Sequence, residues 1–145
     1  MRDDRVLRII DANSNRTREA LRVVEDILRF WCEDGGSASA LKQERHRVSG
    51  YCDRLLKQGL IGLKARDTTT DPGRDSMSTG EATRHDVTEL LLCNFRRAEE
   101  GLRVLEEVTK LVDVGLSRRF KRSRFRVYEL EKSSLAVMER ERARD

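Results

Sequence analysis

The chain has 145 residues, 39% of them charged and 37% hydrophobic, with a net charge of +4. That length suits one domain with one core, and apolar residues gathered in periodic clusters exclude a disordered chain. Cys32, Cys52 and Cys93 are too few and too scattered for a disulfide framework or a zinc site, the start MRDDRVLRII lacks the apolar core of a signal peptide, and no window approaches the roughly 18 apolar residues of a membrane span, so a soluble cytoplasmic protein is expected.

From Asp4 to Phe30 the positions Ile9, Ala20, Val24, Ile27 and Trp31 fall at helical spacing, and EDGGS supplies the glycines that stop the helix. A second periodic run begins near Ser37, a candidate N-cap, and carries Leu41, Val48, Cys52, Leu55 and Leu56 up to Gly59. Residues 4–59 thus predict an antiparallel helical hairpin. Residues 60–85 form a connection too long for simple joinery, holding the only proline, Pro72, in a DPG turn and a possible capping box at Ser78 and Glu81. A second hairpin over 86–140 follows, with Leu90, Leu91, Leu105, Val108 and Val112 in one helix and Phe120, Val127, Leu130, Leu135 and Met138 in the other.

The second hairpin repeats the first. NSNRTREALRVVE, Asn13 to Glu25, returns as NFRRAEEGLRVLE, Asn94 to Glu106, and LKQERHRV (Leu41 to Val48) returns as FKRSRFRV (Phe120 to Val127). A lone hairpin cannot bury its own apolar stripe, so two copies packed face to face predict an all-α protein, an antiparallel four-helix bundle filling one helical domain over 1–145. Exchange of hairpins between chains, giving a homo-oligomer, is the alternative.

On a helical wheel Asn13 falls near the centre of the apolar stripe, with Arg16 about 60° away and Glu19 at the margin; Asn94, Arg97 and Glu100 sit identically in the second copy. Arg45 and Arg124 align with the apolar positions of the second helices. An inward arginine must meet a carboxylate, a carbonyl or a ligand, which leaves two readings: a symmetric salt-bridge network, or a basic cavity for a phosphorylated small molecule. Arg22, Glu25, Arg103 and Glu106 turn away from the stripe and read as solvated i,i+3 pairs. A two-fold axis along the bundle would put the two motif copies at one end, and an axis across it at opposite ends.

The connection offers Arg66, Asp67, Thr68, Asp71 and Arg84. Two carboxylates four residues apart beside a glycine turn could hold Mg²⁺, and a solvated loop with an Asx-turn at Asp71 explains the same letters. No Walker-type or dinucleotide-binding glycine motif is present.

Together DANSNRTREALRVVED, LKQERHR, ARDTTTDPG, STGEATRHD, CNFRRAEEGLRVLEEVTKL and RFRVYELEK resemble the small hydroxymethylpyrimidine phosphate kinases, found alone or fused ahead of thiamine-phosphate synthase. The resemblance runs over nearly the whole chain and implies ATP- and Mg²⁺-dependent phosphorylation of 4-amino-5-hydroxymethyl-2-methylpyrimidine phosphate to its diphosphate, in thiamine biosynthesis. Where the family pattern reads R-D-T-x-x-D-V-G-T, this chain has Pro72 and Arg74 in place of Val and Thr. Under that reading Arg16, Arg97, Arg45 and Arg124 clamp phosphates, Asp67 and Asp71 hold Mg²⁺, Asn13 and Asn94 orient the pyrimidine or its phosphate, and Arg66 and Arg84 close over the nucleotide. Glu19, Glu100 and Thr68 complete the expected site.

Two other classes compete. A bundle with inward arginines and a glutamate could bind a dicarboxylate without ATP, as helical chorismate mutases do. SRRFKRSRFR, Ser117 to Arg126, could face nucleic acid, a reading weakened because Phe120 and Phe125 look buried.

Overall fold

A computed structural model describes residues 4–57, 66–76 and 83–145. Its elements are α1 (Asp4–Asp26) running into a π-helical turn (Ile27–Trp31), α2 (Gly35–Lys57), α3 (Val87–Thr109) and α4 (Val114–Arg142). Among the described residues there is no strand, and the four helices pack as the expected bundle. No described helix is long and apolar enough to cross a membrane. The candidate capping box at Ser78 and Glu81 lies outside the described residues.

Acidic caps set most of the helix starts. Asp86 accepts from the Glu89 N–H at 2.8 Å, satisfying an orphan donor at the start of α3, while Glu89 accepts from the His85 N–H at 2.5 Å and fixes the residue before the cap. Asp113 caps α4 through the Leu116 N–H at 3.0 Å. The expected start of α2 at Ser37 is corrected: the helix begins at Gly35, and the Asp34 carboxylate caps it by accepting from the Ser37 N–H at 2.8 Å. A serine and an aspartate three residues apart both qualify as caps, and the charged acceptor prevails. Before it, Glu33 adopts φ 52°, the left-handed step that turns the chain out of the first helix.

The apolar stripe of α1 is Ile10, Ala20, Leu21, Val24, Ile27 and Leu28, all buried. Two expected core positions lie outside, with Ile9 43% and Trp31 59% exposed. The π turn adds a residue per turn, so a wheel drawn at about 100° per residue loses register there and Trp31 rotates outward. In α4, Phe120 is fully buried as expected, whereas Phe125 is 53% exposed and the expectation of two buried aromatics fails at that position.

Side-chain contacts fix the helix directions. Arg45 meets Glu25 and Cys52 meets Ser14, so α1 and α2 are antiparallel; Arg124 meets Glu106 and Glu131 meets Glu99, so α3 and α4 are too. Across the hairpins Glu44 meets Ser123 and Arg126, while the Tyr51 ring packs edge-on against Phe120 at 5.5 Å, so α2 and α4 also run antiparallel. It follows that α1 and α3 run antiparallel, and the approximate two-fold axis crosses the bundle. At their crossing a methyl group on Gly101 would collide with Thr17 Oγ1 and lie 3.4 Å from the Asn13 carbonyl, so a side chain at residue 101 would wedge the two helices apart.

Polar groups tie the helices at their flanks. Glu44, 2% exposed, accepts from Arg47 at 2.6 Å, Arg126 at 2.9 Å and Ser123 at 2.6 Å. That is close to the capacity of a buried carboxylate, and it makes the charge tolerable between α2 and α4.

Glu99 is different. It lies against Glu131 of α4, and burial first, then hydrogen bonding to Glu131 and the charge on it, pushes the Glu99 carboxyl up to about 8. A carboxyl raised in the folded state takes up its proton preferentially there, so its stabilising effect is complete below the unfolded value near 4.5 and is lost as pH rises through about 8. Glu99→Gln, which fixes the neutral form, is therefore expected to flatten the fall in stability between pH 5 and pH 9 by about 4 kcal/mol. Urea unfolding at the two pH values reads this out, and parallel curves for the variant and the parent would refute it.

Candidate functional site

The site is built on the outer side of the α1–α3 crossing, with residues 66–76 laid across it. Two adjoining depressions share two residues, Asn13 and Arg16 of α1. One, of about 470 Å³, is lined by Arg5, Arg8, Ile9, Asp11, Ala12, Asn15, Arg66, Asp67, Thr68 and Asp71 in addition to the shared pair. The other, of about 630 Å³, adds Gly73, Ser76, Arg84, Cys93, Arg96, Arg97, Glu100, Gly101 and Val104. Both volumes fall in the range of small-molecule sites.

Asn13 and Asn94 make the same bond in the two copies, each amide N–H donating to the carbonyl four residues back, Ile9 and Leu90, at 2.9 Å. This bond fixes the amide orientation in a helix interior and leaves the side-chain carbonyl oxygen available. Asn13 is 6% exposed, and its oxygen has no partner among the described residues. Asn94 is half-buried and is not among the described residues lining either depression.

The expectation of inward arginines is corrected for both motif copies. Arg16 and Arg97 lie exposed at the rim, as do Glu19 and Glu100, and among the described residues none of the four makes a hydrogen bond or ion pair. The symmetric Arg16–Glu19 and Arg97–Glu100 network is therefore absent. Arg16 and Arg97 nevertheless line one depression together with Glu100. Glu19 lines a different hollow, beside Arg18, Arg22 and Arg45.

Arg45 and Arg124 are also not where the wheel suggested. Arg45 Nε donates to Glu25 at 2.6 Å and Arg124 Nε to Glu106 at 2.9 Å, two matched ion pairs joining the helices within each hairpin. Glu25 and Glu106, expected to be solvated, are 3% and 4% exposed. Their i,i+3 contacts to Arg22 (3.9 Å) and Arg103 (3.4 Å) exist but are secondary. A wheel marks angle from one stripe, whereas each helix here faces two neighbours, and Glu25 and Glu106 point at the second of them.

Arg66, expected to close over the nucleotide, donates to both oxygens of Asp11 at 2.9 and 2.8 Å and so pins the connection to α1. Asp11 was missed in the sequence because its partner is 55 residues away; its only local signal was an acidic residue two positions before the motif. Asp67 binds within its own turn, accepting from the N–H groups of Thr69 (3.1 Å) and Thr70 (3.0 Å) and from the Thr70 hydroxyl. The Thr70 hydroxyl and N–H, with weaker help from Arg8 and Thr69, hold its carboxyl below the usual value, ionised at neutral pH. Asp71 forms the expected Asx-turn with the Gly73 N–H at 2.9 Å.

Among the described residues no three His, Cys, Asp or Glu side chains gather as a metal cage. Mg²⁺ carried by a nucleotide needs only one or two carboxylates, its other ligands being phosphate oxygens and water. Asp67 and Asp71 fit that sparse donor set, the second with one oxygen outside its turn. Arg84 lines the larger depression and donates to the Thr83 carbonyl at 2.9 Å. Arg96 and Cys93, both absent from the expected site, join it one helical turn or less from Arg97.

Comparison with known proteins follows the same line. The chain is similar to three proteins named thiamine-phosphate synthase: that of Nostoc sp., 41% identical over 126 residues, covering 87% of this chain and 34% of the relative; that of Synechocystis sp., 42% over 130 residues, 90% and 36%; and that of Gloeobacter violaceus, 40% over 129 residues, 89% and 36%. It spans about a third of the length of these curated relatives. No solved structure matches. The ThiD2 family model matches residues 8–133, most of the chain, and the protein belongs to the ThiD2 family.

Proposed function

We propose that the protein phosphorylates 4-amino-5-hydroxymethyl-2-methylpyrimidine phosphate to the diphosphate, with ATP as donor and Mg²⁺ as cofactor, in thiamine biosynthesis. The observation that carries the reading is the basic lining of the larger depression, where among the described residues Arg16, Arg96 and Arg97, with Arg84 beside them, face one carboxylate, Glu100. Such a surface suits phosphate, and the relatives' name, thiamine-phosphate synthase, supports a reaction that supplies a pyrimidine diphosphate to that synthesis.

Phosphoryl transfer asks for charge neutralisation and in-line placement more than for covalent help. Arg16 and Arg97 supply the neutralisation. The Asn13 carbonyl oxygen and Glu100 can accept from the 4-amino group of the pyrimidine and so select the ring. A phosphate monoester is largely dianionic at neutral pH, its second pKa being about 6, so the acceptor oxygen needs no general base. Mg²⁺ bound with the nucleotide would screen charge between the β- and γ-phosphates, and Asp67 and Asp71 are the residues that would hold it. Arg45 and Arg124, already neutralised by Glu25 and Glu106, act on the bundle and not on substrate.

The direct test follows ADP release from ATP and Mg²⁺ with the pyrimidine phosphate as acceptor, with free hydroxymethylpyrimidine and a metal-free sample as controls. Metal-dependent turnover of the phosphate is expected. A folded protein without turnover would overturn the reading.

A further inference from the structure

We infer that the two depressions are separate subsites, resting on the kinase reading: the side of Arg8 and Asp71 takes the nucleoside triphosphate with its divalent cation, and the side of Cys93, Arg96 and Arg97 takes the phosphate monoester acceptor. Arg16, common to both, meets the phosphoryl group in transfer.

Three observations carry this division. First, the two depressions share only Asn13 and Arg16 among the described residues, so a group passing from one to the other passes these side chains. Second, their charge balance differs. Among the described residues the smaller sets three carboxylates, Asp11, Asp67 and Asp71, against Arg5, Arg8, Arg16 and Arg66, the last of them paired with Asp11. The larger sets four arginines against one glutamate. A nucleotide that brings its own divalent cation needs protein carboxylates beside its phosphates, whereas a bare monoester needs cations from the protein. Third, the Asn13 carbonyl oxygen, on a side chain 6% exposed, has no partner among the described residues and lies on the boundary. An acceptor oxygen that opens onto both cavities from a side chain otherwise enclosed is suited to a ligand donor.

The transfer balances in this arrangement. A terminal oxygen of the acceptor phosphate forms a bond to the γ-phosphorus while the bond from that phosphorus to the β,γ-bridging oxygen breaks. The electron pair leaves with ADP, and the acceptor dianion has no proton to give up. Arg96, beside Arg97 on α3, becomes a second binding residue for the acceptor, and Cys93 and Val104 form the less polar wall against which its ring can lie.

Cys93 provides a readout independent of turnover, because Cys32 and Cys52 are buried and Cys93 is only partly covered. The reduced protein is treated with iodoacetamide and modification is followed by mass, with Cys93→Ser confirming the position. The pyrimidine phosphate, without metal, is expected to slow modification at least fivefold, and Mg²⁺ with a non-hydrolysable ATP analogue to leave it within twofold. In equilibrium binding, Arg96→Ala should weaken the pyrimidine phosphate at least tenfold and spare the metal–nucleotide analogue, and Asp71→Asn should do the reverse. Protection by the nucleotide analogue instead, or by neither ligand in a folded protein, would overturn the division. Turnover accompanied by a reversed binding pattern would overturn the division and leave the kinase reading standing; loss of turnover altogether, with both ligands bound as expected, would overturn the kinase reading alone.

Discussion

Arg16→Ala is expected to lower kcat by about 100-fold or more while the protein melts as the parent does. The two halves of that expectation rest on separate facts. Arg16 is exposed, with no hydrogen bond or ion pair among the described residues, so its removal breaks nothing the fold uses. It is also one of two residues common to both depressions, where a guanidinium can meet charge that develops only during transfer. Steady-state kinetics with a thermal melt on the same preparation measure both. A variant with parental kcat and a raised KM would make Arg16 a ground-state binder only, and an unfolded variant would return it to the structural network that the coordinates deny it.

The opposite pattern is expected at Glu106. Its carboxylate, 4% exposed, accepts from Arg124 Nε and Nη2 at 2.9 Å, and Arg124 is itself only 13% exposed. Glu106→Ala leaves that guanidinium enclosed between α3 and α4 with no carboxylate against it, a loss of about 3–5 kcal/mol by the usual cost of breaking one side of a buried pair. Urea unfolding should show the midpoint fall sharply, with acceptor binding retained in whatever fraction remains folded. Glu107→Ala, next in sequence but on the exposed side where it meets Arg103 and Lys110, should leave the midpoint nearly where it was. Equal effects at the two positions would refute the account.

Much of the architecture was legible in the sequence, and the reason is local. Helical periodicity and the repeated motif depend on neighbours within a few residues, so the four helices and their hairpin pairing could be read directly. The pairings were not legible, because they depend on angles between helices. Whether Arg45 meets a ligand or Glu25, and whether Arg66 is free or bound to Asp11, is decided by which flank of each helix faces which neighbour. The same limit hid Arg96 and Cys93, ordinary letters between Leu92 and Arg97 until the crossing of α1 and α3 turned their side of the helix toward the connection.

The direction of that crossing reaches beyond packing. Two like hairpins related across the bundle would present two equivalent faces, and the described part of the chain that joins them lies on one. Residues 66–76 cover the side of Asn13 and bring it Asp67, Asp71 and Gly73. Asn94, with the same letter, the same helix position and the same 2.9 Å hydrogen bond, receives no such cover among the described residues. The repeat is symmetric in its scaffold and singular in its surroundings: one half of the pair lies beneath the connection, and the other stands as its mirror in the frame.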